Sequence, residues 1–150
     1  MYDRILLPTD GSPPADAALD HALDIASRYD ARLHALYVVE NEDAAFTRFG
    51  NDTAIIESAL EEEGRKTLDG VEAAAAAEGV EAVTAVAEGK PHEAIREYAD
   101  DNGIDLVVMG THGRRGLDRY LLGSVTERVV RTSDVPVLTV RYVDEESSGG

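Results

Sequence analysis

Short apolar runs alternate with amphipathic stretches along the chain, a pattern typical of α/β proteins. The runs at 4–8, 33–39, 80–87, 106–110 and 135–143 predict strands. Between them, apolar residues recur every three or four positions and predict helices. The order β-α-β-α-β-α-β-α-β predicts a parallel sheet with helices on both faces, because each crossover between parallel strands is right-handed.

The first two helices are predicted by their start signals and apolar spacing. Ser-Pro-Pro at 12–14 is a typical helix start and predicts a helix that ends near Tyr29. Apolar spacing over 55–78 predicts a second, longer helix. It contains Gly64 and Gly70, and each should weaken it by roughly 1 kcal/mol relative to alanine.

A polar loop and two further helices complete the expected elements. Residues 41–52 predict a loop beside the strand ends, whose Phe46 and Phe49 either pack onto the next helix, which we favour, or form a flap over a ligand. A third helix should end at Gly103. The last helix is expected over 124–132.

Length and composition limit the classes of protein to consider. The 150 residues predict one domain, 1–143, with a polar, disordered tail at 144–150. The chain has no cysteine, which excludes disulfides, thiolate metal sites and thiol catalysis. Neither a signal-peptide pattern nor a membrane-spanning apolar run is present, so we expect a cytoplasmic protein without a membrane partner.

The charge balance is strongly acidic. Thirty acidic and 14 basic residues give a formal net charge of −16, and the only lysines are Lys66 and Lys90. Such a surface repels nucleic acid, so we expect no nucleic-acid partner. An ordinary acidic protein and a halophilic one both fit, and the scarcity of lysine favours the halophilic interpretation.

A glycine-rich segment follows the fourth strand and predicts a phosphate site. Gly110 ends the apolar run, Gly113 follows, and Gly123 with Ser124 opens the last helix. Open α/β sheets bind ligands beyond the carboxyl ends of their strands. Glycines allow positive φ and a close approach to the main chain, and a helix N-terminus attracts anionic oxygens.

The same segment is a basic region within an acidic chain. Its arginines are Arg114, Arg115, Arg119, Arg128 and Arg131. Arg114 and Arg115 lie in the glycine loop and are the better phosphate candidates, whereas Arg128 and Arg131 should balance acidic neighbours on the helix. We expect His112 to be a hydrogen-bond donor to phosphate rather than an acid or base, because no catalytic partner is evident.

Asp10 follows the first strand at the same edge of the sheet. Its carboxylate can accept hydrogen bonds from an adenine amino group or from ribose hydroxyls, or it can cap the first helix at Ser12. The other histidines, His21, His34 and His92, lack metal-ligand spacing, so we expect structural or surface roles for them and no metal site.

The spacing Gly110-x2-Gly113-x9-Gly123-Ser124 resembles the ATP-binding signature of the universal stress protein family. The segments 5–12 and 135–140 are similar to that family's first and last strands. The resemblance implies an adenine-nucleotide alpha-hydrolase-like fold: a doubly wound five-stranded parallel sheet in the order 3-2-1-4-5. It also implies ATP, with or without Mg²⁺, as the ligand. The nucleotide contacts expected on this basis are Pro8, Thr9, Asp10, Val38, Met109, Gly110, His112, Gly113, Arg114, Gly123, Ser124, Val125 and Thr126.

Three functions compete. The first, which the resemblance favours, is an ATP-binding stress-response or signalling module with an unidentified downstream protein partner. The alternative is a slow ATPase or an adenylyl- or phosphoryl-transfer enzyme, but the chain lacks a G-x4-G-K-[ST] loop and an evident base. A receiver-type switch would need an aspartate after the third strand, where 85–87 are Ala-Val-Ala. The resemblance also implies a homodimer through the edge strand Val137–Tyr142.

Overall fold

The computed structural model of the protein describes residues 1–40, 51–112 and 122–142, with the side chains of the second helix described from Leu60. The phenylalanines at 46 and 49, Gly113, Arg114, Arg115 and the tail at 144–150 therefore lie outside the described residues. The elements in chain order are β1 (Arg4–Pro8), α1 (Pro13–Tyr29), β2 (Arg32–Glu40), α2 (Asn51–Ala77), β3 (Ala82–Gly89), α3 (Pro91–Asp101), β4 (Leu106–Gly110), α4 (Ser124–Thr132) and β5 (Val137–Val140).

The strands form one parallel sheet in the order β3-β2-β1-β4-β5. Ile5 on β1 pairs in register with Leu33 on β2 and with Leu106 on β4. This confirms the doubly wound fold and its strand order. The chain runs outward from β1 in opposite directions, so a crevice is expected between the ends of β1 and β4.

Alternate residues of the strands face two separate apolar cores, because successive strand side chains point to opposite faces. One core lies under α1 and α2, and it includes Ile5, Leu7, Leu33, Tyr37, Val108, Ala18, Ala22, Leu68 and Ala75. The other lies under α3 and α4, and it includes Leu6, Leu36, Val107, Met109, Ile95, Ile104 and Val129. Burial on both faces explains why β1, β2 and β4 are almost continuously apolar.

The start and end of α1 agree with the sequence. The Ser12 hydroxyl accepts a hydrogen bond from the Ala15 amide at 3.4 Å, and Pro13 occupies the first turn. The helix ends at Tyr29 because Asp30 adopts the left-handed conformation, with φ 54°. The Asp30 amide then donates to the Ala26 carbonyl and satisfies a terminal acceptor.

Several element boundaries differ from those predicted. Residues 51–52 begin α2 instead of ending the 41–52 loop, whose first ten residues lie outside the described part. β3 begins at Ala82, because the Val80 amide donates to Ala75 at 2.8 Å and closes α2. β5 is shorter than 135–143: the Val135 amide donates to the Ser133 hydroxyl at 3.1 Å, and Pro136 has no amide hydrogen to add to the strand.

The two glycines of α2 have different surroundings. A Cβ on Gly64 would lie 2.6 Å from Cδ1 of Tyr37, so the absence of a side chain lets α2 pack on the tyrosine ring of β2. A Cβ on Gly70 would meet nothing within 4 Å. Gly70 is therefore still expected to weaken α2 relative to alanine, whereas packing against Tyr37 requires a glycine at position 64.

The outer faces of the helices are charged. Ion pairs join Arg28 to Asp24 on α1 and Arg131 to Glu127 on α4. The Arg131 pair confirms that this arginine balances an acidic neighbour. None of the described helices combines the length and the apolar character that crossing a membrane would require.

Candidate functional site

The residues singled out from the sequence converge on the carboxyl edge of the sheet. Pro8 ends β1, Gly110 ends the adjacent β4, and Gly123 precedes α4. Segments from opposite ends of the chain therefore meet at one edge. This is the position at which an open α/β sheet binds its ligand.

The loop after β1 is fixed by its own polar groups. The Thr9 amide donates to the Leu36 carbonyl at 2.9 Å, and the Thr9 hydroxyl accepts from the Gly11 amide at 3.2 Å. Oδ1 of Asp10 accepts from the Ser12 amide at 3.0 Å. Asp10 therefore supports the entry to α1, as one interpretation of the sequence expected, and its half-buried carboxylate is held at the edge.

Gly11 is a second constraint on this loop, and the sequence reasoning did not find its partner. Its φ is +76°, a conformation that favours glycine, and an added Cβ would lie 2.9 Å from the Thr67 hydroxyl of α2. The Asp-Gly-Ser turn signal indicated the glycine, but nothing local in the sequence places Thr67 against it. Thus α2 also helps to fix the loop that holds Asp10.

Gly110 has a packing role that differs from the one expected. It is buried and does not have a positive φ. An added Cβ would lie 2.9 Å from the Pro14 carbonyl oxygen, so the missing side chain lets the first turn of α1 contact the end of β4. The missing side chain of Gly110 therefore allows α1 to approach the main chain closely, where the sequence predicted the close approach of a ligand.

The first turn of α4 supplies hydrogen-bond donors at the same edge. The Gly123 amide donates to the Thr111 carbonyl at 2.7 Å, and the Gly123 carbonyl accepts from the Glu127 amide at 2.9 Å. The amides of Ser124, Val125 and Thr126 follow, and first-turn amides have no acceptor within their own helix. Together with the helix dipole and the exposed Ser124 side chain, they form a place suited to an anion.

Three of the expected contact residues have side chains engaged in the fold. The Thr126 side chain is buried, and its hydroxyl donates to the Gly110 carbonyl at 2.9 Å. Met109 packs in the core under α3 and α4, so its main chain is the part available to a ligand. Val38 is half-buried at the end of β2 and packs against the same core.

His112 is the last described residue before the glycine loop. It is half-buried, and its Nδ1 lies 3.3 Å from the Thr111 hydroxyl oxygen. Its Cα lies 3.2 Å from the position of a Cβ on Gly123, so the backbone at 112 packs directly on the start of α4. Of the expected contact residues, Gly113 and Arg114 lie outside the described part. The others lie at or near the carboxyl ends of β1, β2 and β4 or at the start of α4.

The electrostatics of the edge differ between α1 and α4. Burial, followed by the negative charges of Asp20 and Asp10, raises the pKa of the Asp16 carboxyl on α1. The α1 side of the edge is therefore acidic and suits an uncharged, donor-rich group. The amide donors of α4 suit a polyanion. The edge can therefore orient a ligand that carries an uncharged, donor-rich group and a polyanionic group.

His34 is buried within β2, and its structural role is one of the two that the sequence predicted for it. Nδ1 of His34 lies 2.7 Å from the hydroxyl oxygen of Tyr98 on α3, and its Nε2 is buried with no hydrogen-bond partner among the described residues. Burial, followed by the positive charges of Arg32 and Arg4, lowers the pKa of His34, and burial raises the pKa of Tyr98. The pair joins α3 to β2 and has a structural role.

Two clefts elsewhere on the surface do not carry comparable chemistry. One of about 30 Å³ lies between α3 and α4 over an apolar floor that includes Ile95 and Val129. Another of about 340 Å³ lies at the amino edge, where Arg32 and Glu81 pair at 3.2 Å. The described residues contain no cluster of three or more histidine or carboxylate groups able to hold a metal ion.

Comparisons with known proteins agree with the observed fold. The sequence profile of the Universal stress protein family matches residues 1–141. Universal stress protein MJ0531 of Methanocaldococcus jannaschii is 40% identical over 146 residues, which are 97% of this chain and 86% of that protein. The solved structure of MJ0577, from the same organism, superposes with a TM-score of 0.84 at 31% identity and covers 96% of this chain and 99% of that one. The crystal structure of a universal stress protein in complex with cAMP is 26% identical, with a TM-score of 0.72, and covers 93% of this chain and 97% of that one.

Proposed function

The chain belongs to the universal stress protein family, and we propose that it is an ATP-binding member that acts as a nucleotide-dependent stress-response or signalling module. The observation that carries the proposal is the juxtaposition of two unlike groups at one sheet edge. The Asp10 carboxylate follows β1, and the first-turn amides of α4 lie beside the end of the adjacent β4. An adenine nucleotide combines the two matching chemistries, a neutral adenosine and a charged phosphate chain.

The adenosine moiety binds on the β1 side of the crevice. The Asp10 carboxylate accepts hydrogen bonds from ribose hydroxyls or from the adenine amino group. The main chain at Pro8 and Thr9 borders the adenosine, and the half-buried Val38 offers the base an apolar contact. The acidic surroundings of α1 do not oppose this part of the ligand, because adenosine carries no charge.

The phosphates bind on the α4 side. The amides of Ser124, Val125 and Thr126 and the Ser124 hydroxyl donate to phosphate oxygens, and His112, Gly113 and Arg114 complete the expected set. A triphosphate uses this row of donors more fully than a monophosphate does. Mg²⁺ bound with ATP takes its ligands mainly from phosphate oxygens and water, as is usual for nucleotide-bound magnesium.

The choice of an adenine nucleotide is supported by the relative crystallised with cAMP, which shares the fold over 93% of this chain. The preference for ATP over a monophosphate rests on the α4 donors and on the glycine spacing Gly110-x2-Gly113-x9-Gly123-Ser124.

Binding without rapid turnover is the proposed mode of action. No described side chain at the edge stands out as a base for activating water, since Asp10 accepts from Ser12 and His112 lies beside Thr111. Turnover is therefore at most slow. An assay of phosphate release at saturating ATP tests this, and multiple turnovers per second would favour the alternative of an ATPase or transferase.

A homodimer through the β5 edge is part of the proposal. β5 lies at one end of the sheet, and Leu138 on it and Val130 on the neighbouring α4 are exposed by 36% and 45%. An unpaired apolar edge strand favours association, and a twofold axis would pair two such strands. Light scattering should give the dimer mass in molar potassium chloride.

A cytoplasmic location remains a prediction from the sequence.

The experiment that tests the proposed function is calorimetric titration of the folded protein with ATP, AMP and GTP in molar potassium chloride. ATP should bind more tightly than AMP, and GTP should bind weakly because its base lacks the adenine amino group. A variant with Gly123→Val and Ser124→Ala should lose more affinity for ATP than for AMP, because a side chain obstructs the backbone and a donor is removed. Equal losses would contradict the phosphate assignment.

A further inference from the structure

Gly110 lies between the two halves of the proposed site and contacts both. On one side, its Cα faces the Pro14 carbonyl of α1, 2.9 Å from where a Cβ would stand. On the other side, its carbonyl accepts the Thr126 hydroxyl of α4 at 2.9 Å. The adenosine loop leads directly into Pro14, and the phosphate donors lie in the same turn of α4 as Thr126.

We propose that Thr126 is a positioning residue, whose hydroxyl sets the spacing between the adenosine loop and the phosphate-binding turn by binding Gly110. The inference deepens the proposed function and rests on it. The Thr126 side chain is buried, with 3% exposure, and its hydroxyl proton is directed to a carbonyl oxygen of the fold. The residue therefore acts on phosphate through the placement of α4, and its own ligand contact is limited to the main-chain amide.

A second contact makes the side chain of Thr126 decisive for orientation. The Gly123 amide binds the Thr111 carbonyl at 2.7 Å, which fixes the start of α4 at one point. The N-terminal end of α4 is thus joined to the end of β4 by two hydrogen bonds, one from the N-cap Gly123 and one from Thr126 in the first turn, and together they set its direction. The Thr126 bond is the second of these, so its loss should change where the amides of Ser124 and Val125 point.

This arrangement predicts a selective effect on the longer ligand. ATP must engage the loop after β1 and the first turn of α4 at the same time, so its affinity depends on the spacing between them. AMP engages the adenosine side with one phosphate and depends on that spacing less. A misplaced helix therefore lowers the ratio of ATP affinity to AMP affinity.

The test compares Thr126→Val, which removes the hydroxyl at nearly constant volume, with Thr126→Ser, which keeps it. Thr132→Val is a matched control, because Thr132 lies in the same helix and its exposed hydroxyl donates to the Arg128 carbonyl of that helix at 2.7 Å. Affinities for ATP and AMP are measured by calorimetry. Amide resonances of Gly123 and Ser124 are recorded without nucleotide.

The expected result is that Thr126→Val weakens ATP binding about tenfold, the size of one lost hydrogen bond, and changes AMP binding less than about twofold. Thr126→Ser should restore the ATP to AMP ratio, and Thr132→Val should leave it unchanged. The Thr126→Val protein should also show shifted Gly123 and Ser124 amide resonances before any nucleotide is added.

Two results would overturn the inference. An unchanged ATP to AMP ratio in Thr126→Val would show that the bond does not set the spacing. A lowered ratio with unshifted Gly123 and Ser124 resonances would show that the hydroxyl contacts phosphate directly. If the unaltered protein binds neither nucleotide, the proposed function fails instead, and the resonances still report whether Thr126 orients α4.

Discussion

The two glycines of α2 should respond in opposite directions to the same substitution. In each case alanine removes the cost of ordering glycine in a helix, which favours folding by about 1 kcal/mol. Gly70 gains this in full, because a Cβ there meets nothing within 4 Å. At Gly64 the new methyl would stand 2.6 Å from Cδ1 and 2.9 Å from Cγ and Cε1 of Tyr37.

The steric term should exceed the helix propensity at Gly64. Tyr37 is only 5% exposed, so its ring cannot move out into solvent to make room. Overpacking a closely packed core costs about 1–3 kcal/mol, and a 2.6 Å approach to a buried ring belongs to the upper half of that range, about 2–3 kcal/mol. Subtracting the propensity gain leaves a net destabilisation of about 1–2 kcal/mol. For a chain of this length, the unfolding midpoint should fall by roughly 2–8 °C in Gly64→Ala and rise by roughly 2–4 °C in Gly70→Ala.

Thermal unfolding followed by circular dichroism in molar potassium chloride provides the measurement. A double-mutant cycle isolates the contact: in a Tyr37→Ala background, Gly64→Ala should become stabilising, as Gly70→Ala is in the unaltered protein. If Gly64→Ala raises the midpoint of the unaltered protein as much as Gly70→Ala does, α2 does not pack on Tyr37 and the reasoning is wrong.

Further predictions concern pH, the ligand and salt. The pKa of His34 is lowered in the folded protein. The free energy of unfolding should therefore fall as the pH drops below the ordinary histidine value of 6.5, because the unfolded chain then takes up a proton that folded His34 does not. His34→Phe should lose this component, and an unchanged pH profile in that variant would contradict it. Asp10→Ala should weaken the binding of AMP, ADP and ATP by a similar factor of about 10 to 100, checked by calorimetry. Asp10→Asn keeps an acceptor for the Ser12 amide and controls for loop structure. A loss of affinity confined to ATP would refute the adenosine assignment. With a net charge of −16, the thermal midpoint should rise from dilute buffer to molar potassium chloride, and a midpoint independent of salt would remove the halophilic interpretation.

Much of the fold could be predicted because it depends on local signals. The bounds of β1 follow from an apolar run ending in Pro8, and those of α1 from the Ser12 cap and the prolines beside it. The strand order came from the family resemblance, because nothing local in the sequence specifies which strands pair. The starts of β3 and β5 were predicted too early, since the amides of Val80 and Val135 bind acceptors outside the sheet.

The sequence could indicate a candidate site at this edge, but not the contacts that its residues make. The glycine spacing located the edge, yet the space beside Gly110 is used by Pro14 and the Thr126 hydroxyl is used by Gly110. Both contacts join residues distant in the chain, and a sequence pattern does not show which partner a glycine or a hydroxyl will meet. The structural role of His34 was one of the two expected, but its partner Tyr98 could not be predicted for the same reason, because it lies on another element.

The central claim is that ATP binds across the ends of β1 and β4, with its phosphates on the first turn of α4. The most direct test is to record the amide resonances of the folded protein during titration with ATP in molar potassium chloride. Gly11, Ser124 and Val125 should shift together and saturate, while Gly79 and Glu81, at the opposite edge of the sheet, should not move. Saturation with shifts confined to the amino edge, or no shift at millimolar ATP, would contradict the account.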